Sequence, residues 1–153
     1  METVRDLDKS TIDGLQKLCK LCHDSTEGYR TAASELDSEP LSEAFRNTSV
    51  DRAMMRDQLA EMLGTSHEDI PDGGTALGSV HRWWIEARTA ISSNDDKAVV
   101  SEAIRGENSI EDEYKDVLSD AGDSPVSETL RAHLLSIHNC RQTLEELERM
   151  QDS

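Results

Sequence analysis

Four stretches of this sequence repeat apolar or small residues at every third or fourth position, over residues 12–36, 41–62, 96–117 and 126–147. This spacing places the repeated side chains on one face of an α-helix. Each stretch is much longer than a strand, and the sequence shows no comparable run of strict alternation. We therefore predict an all-α fold in which four long amphipathic helices bury their apolar faces against one another.

Breaks between the four stretches predict how the helices connect. Ser10 and Asp13 resemble a capping box at the first helix, Pro40 suits the first turn of the second, and Gly64 suits its end. The predicted hairpins cover about 11–63 and 96–149, joined by a crossover over 64–95. Short connections make each hairpin antiparallel, and a long crossover makes the two middle helices parallel. A chain of 153 residues then forms one domain over 1–153, an up-down-down-up bundle.

The second and fourth helices also resemble each other in sequence. They align without a gap at an offset of 85 residues, since Pro40 aligns with Pro125. The identical pairs are Pro40 and Pro125, Ser42 and Ser127, Glu43 and Glu128, Arg46 and Arg131, Arg56 and Arg141, Leu59 and Leu144, and Glu61 and Glu146. This pattern indicates a duplicated helical hairpin.

The crossover carries a helical pattern of its own in "TALGSVHRWWIEARTAIS", residues 75–92. We predict a short fifth helix here that lies on the bundle. Trp83 and Trp84 are the largest apolar side chains of the sequence. They pack against the bundle wall, or part of their face forms a dimer contact.

Charge excludes some classes of partner. The chain has 32 acidic and 16 basic residues, a formal net charge of −16. Such a surface repels phosphate backbones and anionic lipids, so we expect neither nucleic-acid nor membrane binding. We expect a cytoplasmic protein, because the sequence has no signal-peptide pattern and no run of about 18 apolar residues.

Several motifs occur together in chain order: "STEGYRTAASEL", "GSVHRWW", "RGENSIEDEY" and "IHNCRQTLEEL". In this set the sequence resembles a family of uncharacterised bacterial ferritin-like four-helix-bundle proteins, described only as a domain of unknown function. The resemblance covers about residues 11–147. It implies a ferritin-like bundle and a structural or interaction role, for instance in a stress response. Fold alone does not imply an activity.

A ferritin-like di-iron centre needs a Glu from each of two helices and a Glu-x-x-His motif from each of the other two. Glu107 qualifies by position, but Thr26 stands at the equivalent place on the first helix. The two Glu-x-x-His places read Asp51 with Met54 and Ser136 with Asn139. The alternative is one divalent metal, iron, manganese or zinc, held by Glu107, His133, His138 and Asp51. Such a site would suit a metal-dependent oxidase or a peroxide-handling enzyme.

A buried carboxylate is costly unless it is paired, hydrogen-bonded or protonated. Arg52 lies on the inner face of the second helix, and counting from each hairpin turn puts it level with Glu107. We therefore predict a central polar layer of Thr26, Arg52, Glu107 and His133, in which the ion pair fixes the helix register. Two tyrosines, Tyr29 and Tyr114, should lie one or two turns away.

The "CKLC" motif, Cys19 to Cys22, invites a redox or zinc interpretation, with Cys140 and His23 as further ligands. Both thiols instead lie on the apolar face in mid-helix, where cysteine packs as a small apolar residue. We expect reduced, buried thiols.

From the sequence we predict no catalytic residue and no cofactor. The first hypothesis is a non-catalytic bundle with a structural or interaction role, as a homo-oligomer such as a dimer or with a protein partner. The second is the metal-dependent enzyme described above. Metal content separates the two.

Overall fold

The computed structural model describes residues 7–71 and 79–151, with the backbone alone for residues 79–83. It contains α1 (Lys9–Glu35), α2 (Glu39–Thr65), α3 (Ser79–Ser92), α4 (Asp96–Ala121) and α5 (Ser127–Gln151). No strand occurs in these described ranges. The prediction of an all-helical fold with four long helices and one short one is therefore confirmed. Residues 75–78 of the predicted short helix lie outside the described residues.

Local signals set the ends of these helices. The Asp8 side chain accepts a hydrogen bond from the Thr11 backbone N–H at 2.8 Å, so α1 begins earlier than the predicted cap at Ser10. Asp95 caps α4 in the same way, through the Ala98 N–H at 3.1 Å. Pro40 lies in the first turn of α2, as its missing N–H favours. Gly122 ends α4 with a φ of 58°, a left-handed value that favours glycine.

The five helices form a helical bundle. Helix α1 packs against α2 and α4, and α5 packs against the same two helices. Helix α3 packs against α1 and α4. Each long helix contributes fully or almost fully buried side chains to one core, among them Leu15, Leu59, Ile110 and Ile137. Burial of these apolar side chains is the main stabilising term of such a fold.

Helix α3 is positioned by close packing of Trp84 against α1. A Cβ atom built on Gly28 would lie 1.8 Å from Cε2 of Trp84, so only glycine leaves room for the indole ring. The ring also meets Tyr29 edge-on, with the centroids 5.1 Å apart. Its neighbour Ile85 is 53% exposed. Trp84 is thus used in packing within the chain, while the side chain of Trp83 lies outside the described residues.

Across the described helices the exposed faces are rich in acidic residues. None of the described helices has both the length and the apolar character that a membrane-spanning segment requires.

Candidate functional site

Arg52 of α2 and Glu107 of α4 form an ion pair in the middle of the bundle. Their side chains are 1% and 0% exposed, respectively. Arg52 Nη1 donates to Glu107 Oε2 at 2.9 Å, and Arg52 Nη2 donates to Oε1. Two parallel hydrogen bonds of this kind match the planar guanidinium to the planar carboxylate. Both carboxylate oxygens of Glu107 therefore have a cationic partner.

Two residues of α1 form hydrogen bonds with this pair. The hydroxyl of Tyr29 donates to Glu107 Oε2 at 2.7 Å. Ser25 Oγ accepts from Arg52 Nη1 at 3.0 Å. We call Ser25, Tyr29, Arg52 and Glu107 the ion-pair cluster. Three helices contribute to it, so it joins them through charged and polar contacts in addition to apolar packing.

The electrostatics of the cluster favour the charged form of the arginine. Burial alone would lower the pKa of Arg52, but the facing carboxylate of Glu107 raises that pKa well above its ordinary value. Burial, and then the charge of Glu107, raise the pKa of the Tyr29 phenol well above its ordinary value. Tyr29 therefore remains a neutral O–H donor to the carboxylate over the physiological pH range.

A second set of buried polar groups lies beside the ion-pair cluster. Tyr114 Oη lies 3.3 Å from Cys22 Sγ and 2.9 Å from His133 Nδ1. On its other side His133 Nε2 lies 2.6 Å from Gln58 Oε1. We call Cys22, Tyr114, His133 and Gln58 the His133 chain. It runs from a buried thiol on α1 to an exposed amide on α2, and all four long helices contribute one member.

Burial, and then the positive charge of Arg52, lower the pKa of His133 to about 4. Its imidazole is therefore neutral near pH 7. Burial raises the pKa of Cys22 to about 11 and that of Cys140 to about 12. The centre of the bundle thus contains one strong ion pair among neutral groups.

The structure does not bring the four predicted metal ligands together. Asp51 and His138 lie on the surface, where His138 Nδ1 contacts Arg141 Nη2 at 3.1 Å. The carboxylate of Glu107 accepts hydrogen bonds from Arg52, and the imidazole of His133 forms hydrogen bonds with Tyr114 and Gln58 instead. In the described part of the chain, no group of three or more His, Cys, Asp or Glu side chains is arranged to hold a metal. A cation would also be repelled by the buried guanidinium. The donor set thus does not fit a di-iron centre.

The predicted polar layer differs from the observed contacts in two members. Thr26 turns its hydroxyl to the Cys22 carbonyl of its own helix, at 2.8 Å, and Ser25 contacts the arginine instead. His133 belongs to the neighbouring His133 chain and not to the ion pair. The direct bond from Tyr29 to Glu107 was not expected either, because helix spacing alone does not give a side-chain rotamer.

The "CKLC" cysteines lie inside the bundle. Cys19 and Cys22 are both buried, and no disulfide forms within the described residues. Cys140 is half-buried on α5, where its Sγ lies 3.3 Å from Thr48 Oγ1 of α2. Nδ1 of His23 lies 3.4 Å from Nη1 of Arg56. Within the described residues, no hydrogen bond joins His23 to a cysteine. These positions match packing and not a zinc site.

Comparison with known families gives one result. A family model described as "Domain of unknown function (DUF2383)" matches residues 10–120, which is more than half of the chain. The chain belongs to the DUF2383 family. Among curated proteins nothing matches the chain.

The DUF2383 match bears directly on the site. It spans α1 to α4 and therefore contains the whole ion-pair cluster, together with Cys22, Gln58 and Tyr114. His133 and Cys140 of α5 lie beyond it. The family description names no activity, so the function of this DUF2383 protein has to be argued from its geometry.

Proposed function

We propose that the bundle has the ferritin-like, up-down-down-up arrangement. The order of side-chain contacts supports antiparallel hairpins. Between α1 and α2, Ala33 contacts Ser42 and Ser25 contacts Arg52. Residue numbers therefore fall along α1 as they rise along α2, which is the order of an antiparallel pair. The same order relates α4 to α5, where Ser101 contacts Glu148 and Tyr114 contacts His133.

Contacts between the hairpins support the remaining part of the topology. Cys22 contacts Tyr114 and Tyr29 contacts Glu107, so α1 and α4 run in opposite directions. Helices α2 and α5 are also antiparallel by this criterion, through Thr48 with Cys140 and Gln58 with His133. It follows that α2 and α4 run in the same direction, as in two hairpins joined by one long crossover.

We propose that this bundle is non-catalytic and has a structural or interaction role, with an ion pair where ferritin-like enzymes hold metal. One observation carries the proposal: both oxygens of Glu107 accept hydrogen bonds from Arg52. A metal would have to displace a guanidinium that is itself buried and held by Ser25. That exchange leaves an uncompensated buried cation, which is strongly unfavourable.

Metal content tests this function. The protein is purified without a metal-affinity tag, its iron, manganese and zinc are measured by elemental analysis, and its thermal unfolding midpoint is recorded with and without EDTA. We expect well under one metal per chain and the same midpoint in both solutions. Near-stoichiometric metal together with a lower midpoint in EDTA would contradict the proposal. A Glu107→Gln variant is the matched control: metal that persists in it is bound elsewhere.

The interaction role is proposed to include self-association through α3. The packing of Trp84 against Gly28 and Tyr29 leaves Ile85 as an exposed apolar side chain on this helix. An Ile85→Glu variant should lower the mass measured by light scattering if α3 forms the dimer contact. Arg88→Gln changes the charge of the same helix by the same one unit, also at an exposed position, and serves as its control. An unchanged mass for Ile85→Glu would remove α3 as the contact.

A further inference from the structure

His133 is held from two sides by groups whose hydrogen-bonding roles depend on each other. Gln58 presents its carbonyl oxygen to Nε2 at 2.6 Å, and a carbonyl oxygen can only accept. With the Gln58 amide in this orientation, Nε2 carries the hydrogen. Since a neutral imidazole has one N–H, Nδ1 must accept, and the phenol of Tyr114 must donate to it.

The direction of the last bond in the chain follows. Because the Tyr114 hydrogen points to His133, the Tyr114 oxygen accepts from the Cys22 thiol at 3.3 Å. All hydrogen bonds of the His133 chain are thus satisfied by one set of hydrogen positions, with His133 as the neutral Nε2–H tautomer. No other neutral tautomer of His133 satisfies both neighbours in these positions.

Adding a proton to Nδ1 of His133 breaks this consistency. The new N–H would point at the Tyr114 O–H, so the phenol would have to turn and donate to Cys22 Sγ. The thiol hydrogen of Cys22 would then lose its acceptor. Protonation would also place a second cation in a region that already contains Arg52, the charge that opposes it.

We propose that the His133 chain is an acid-sensitive contact: protonation of His133 weakens the contact between α5 and α2. Of the contacts that α5 makes, the one with α2 is affected most by protonation of His133. The side-chain hydrogen bonds seen between them are those of Gln58 with His133 and of Thr48 with Cys140. Losing the first leaves the bond between Thr48 and Cys140 and the apolar packing of the core to join the two helices.

Charged and titratable groups around His133 come from every long helix. Cys22 of α1 and Tyr114 of α4 are neutral, and Arg52 of α2 is cationic. On the surface side, Gln58 lines a shallow groove with Glu61 of α2 and Glu128 of α5. Among the described residues, the groups hydrogen-bonded to the imidazole are Tyr114 and Gln58, and neither is a carboxylate. A carboxylate placed at position 58 should therefore favour the protonated form of His133.

Tautomer and titration of His133 are measured directly by long-range ¹H–¹⁵N NMR of the full chain from pH 8 to pH 4. We expect the Nε2–H tautomer for His133 at pH 7. We also expect its protonation midpoint to lie at least about one pH unit below the ordinary histidine value of 6.5. An Nδ1–H tautomer, or a midpoint at the ordinary value, would overturn the proposal.

Linkage gives the sign of the effect on stability. His133 has a folded pKa of about 4 against an ordinary value of 6.5, so the unfolded chain binds the proton first. The stability that neutral His133 contributes is therefore fully present above about pH 6.5 and is lost as the pH falls towards 4. The urea midpoint of the wild-type protein should decline over this window. In His133→Gln, which keeps a donor for Gln58 but cannot be protonated, that part of the decline should be missing.

Two further variants keep the test decisive even if His133→Gln does not fold. Gln58→Glu should raise the His133 midpoint by about one pH unit or more, because a carboxylate favours the imidazolium. His138→Gln, on the exposed side of the same helix, should leave both the midpoint and the stability profile unchanged. An unmoved midpoint in Gln58→Glu, or a His138→Gln profile that loses the acid step, would contradict the proposal.

Discussion

Arg52 and Glu107 bridge two helices of the bundle that are not neighbours. In the described residues no Cα atom of α2 lies within 8 Å of a Cα atom of α4, yet these two side chains meet between the helices, 55 positions apart in sequence. Their bond therefore crosses the centre of the core. Breaking such a pair costs more than the pair itself contributes, because one charge remains buried without a partner.

The first prediction concerns the arginine. Arg52→Met leaves Glu107 buried without its cationic partner, and we expect the free energy of unfolding to fall by about 3–5 kcal/mol. Chemical denaturation followed by circular dichroism gives this value. Arg56→Met is the control, since Arg56 is partly exposed and its contacts should contribute no more than about 1 kcal/mol. Equal losses in both variants would mean that Arg52 acts only through packing.

A second prediction concerns the phenol of Tyr29. Tyr29→Phe keeps the ring against Phe45 and Trp84 but removes the donor to Glu107. We expect the free energy of unfolding to fall by about 1.5–3 kcal/mol, the usual contribution of a hydrogen bond to a charged group. In a Glu107→Gln background the same substitution should cost less. A loss of the same size in both backgrounds would show that the bond to Glu107 is not its cause.

The third prediction tests how α3 is positioned. Gly28→Ala places a methyl group where the Trp84 ring lies, so we expect a loss of about 1–3 kcal/mol and a shift in tryptophan fluorescence. Gly64→Ala is the matched control: its Cβ would meet only Ile70 Cδ1 at 3.7 Å, an ordinary contact. There alanine should be neutral or stabilising by up to about 1 kcal/mol. Similar losses in the two variants would reject a steric origin.

The fourth prediction concerns thiol reactivity. Iodoacetamide reacts with the thiolate, and burial raises the pKa of Cys22 to about 11 and of Cys140 to about 12. At pH 8, Cys22 and Cys140 of the native protein should therefore be alkylated at least about 100-fold more slowly than in the urea-unfolded protein. Mass spectrometry after quenching measures the rates at each cysteine. Rapid alkylation of Cys19 or Cys22 in the native protein would favour a redox role for the "CKLC" motif.

The helices could be predicted because their signals are local. Apolar spacing gave the four long helices and placed the start of α4 at residue 96, where the structure has it. Counting residues from each hairpin turn placed Arg52 and Glu107 at one level, since it needs only the rise of a helix. The start of α1 was misplaced because Ser10 and Asp8 are both good caps, and spacing does not choose between them.

The details of the site depend on quantities that a single sequence does not contain. Whether Ser25 or Thr26 faces Arg52 depends on how α1 is rotated about its own axis. The bond from Tyr29 to Glu107 depends on a rotamer, and the place of Gln58 depends on how α2 lies against α5. Gly28 did carry a signal, because a glycine within a helix often marks a close approach.

A double-mutant cycle at Arg52 and Glu107 tests the central claim most directly. The free energies of unfolding of Arg52→Met, Glu107→Leu and the double variant are compared with that of the wild-type protein. If Arg52 is what keeps Glu107 stable inside the bundle, the double variant should be less destabilised than the sum of the single variants by about 2 kcal/mol or more. Additivity within about 0.5 kcal/mol would contradict the account, because the two side chains would then act independently.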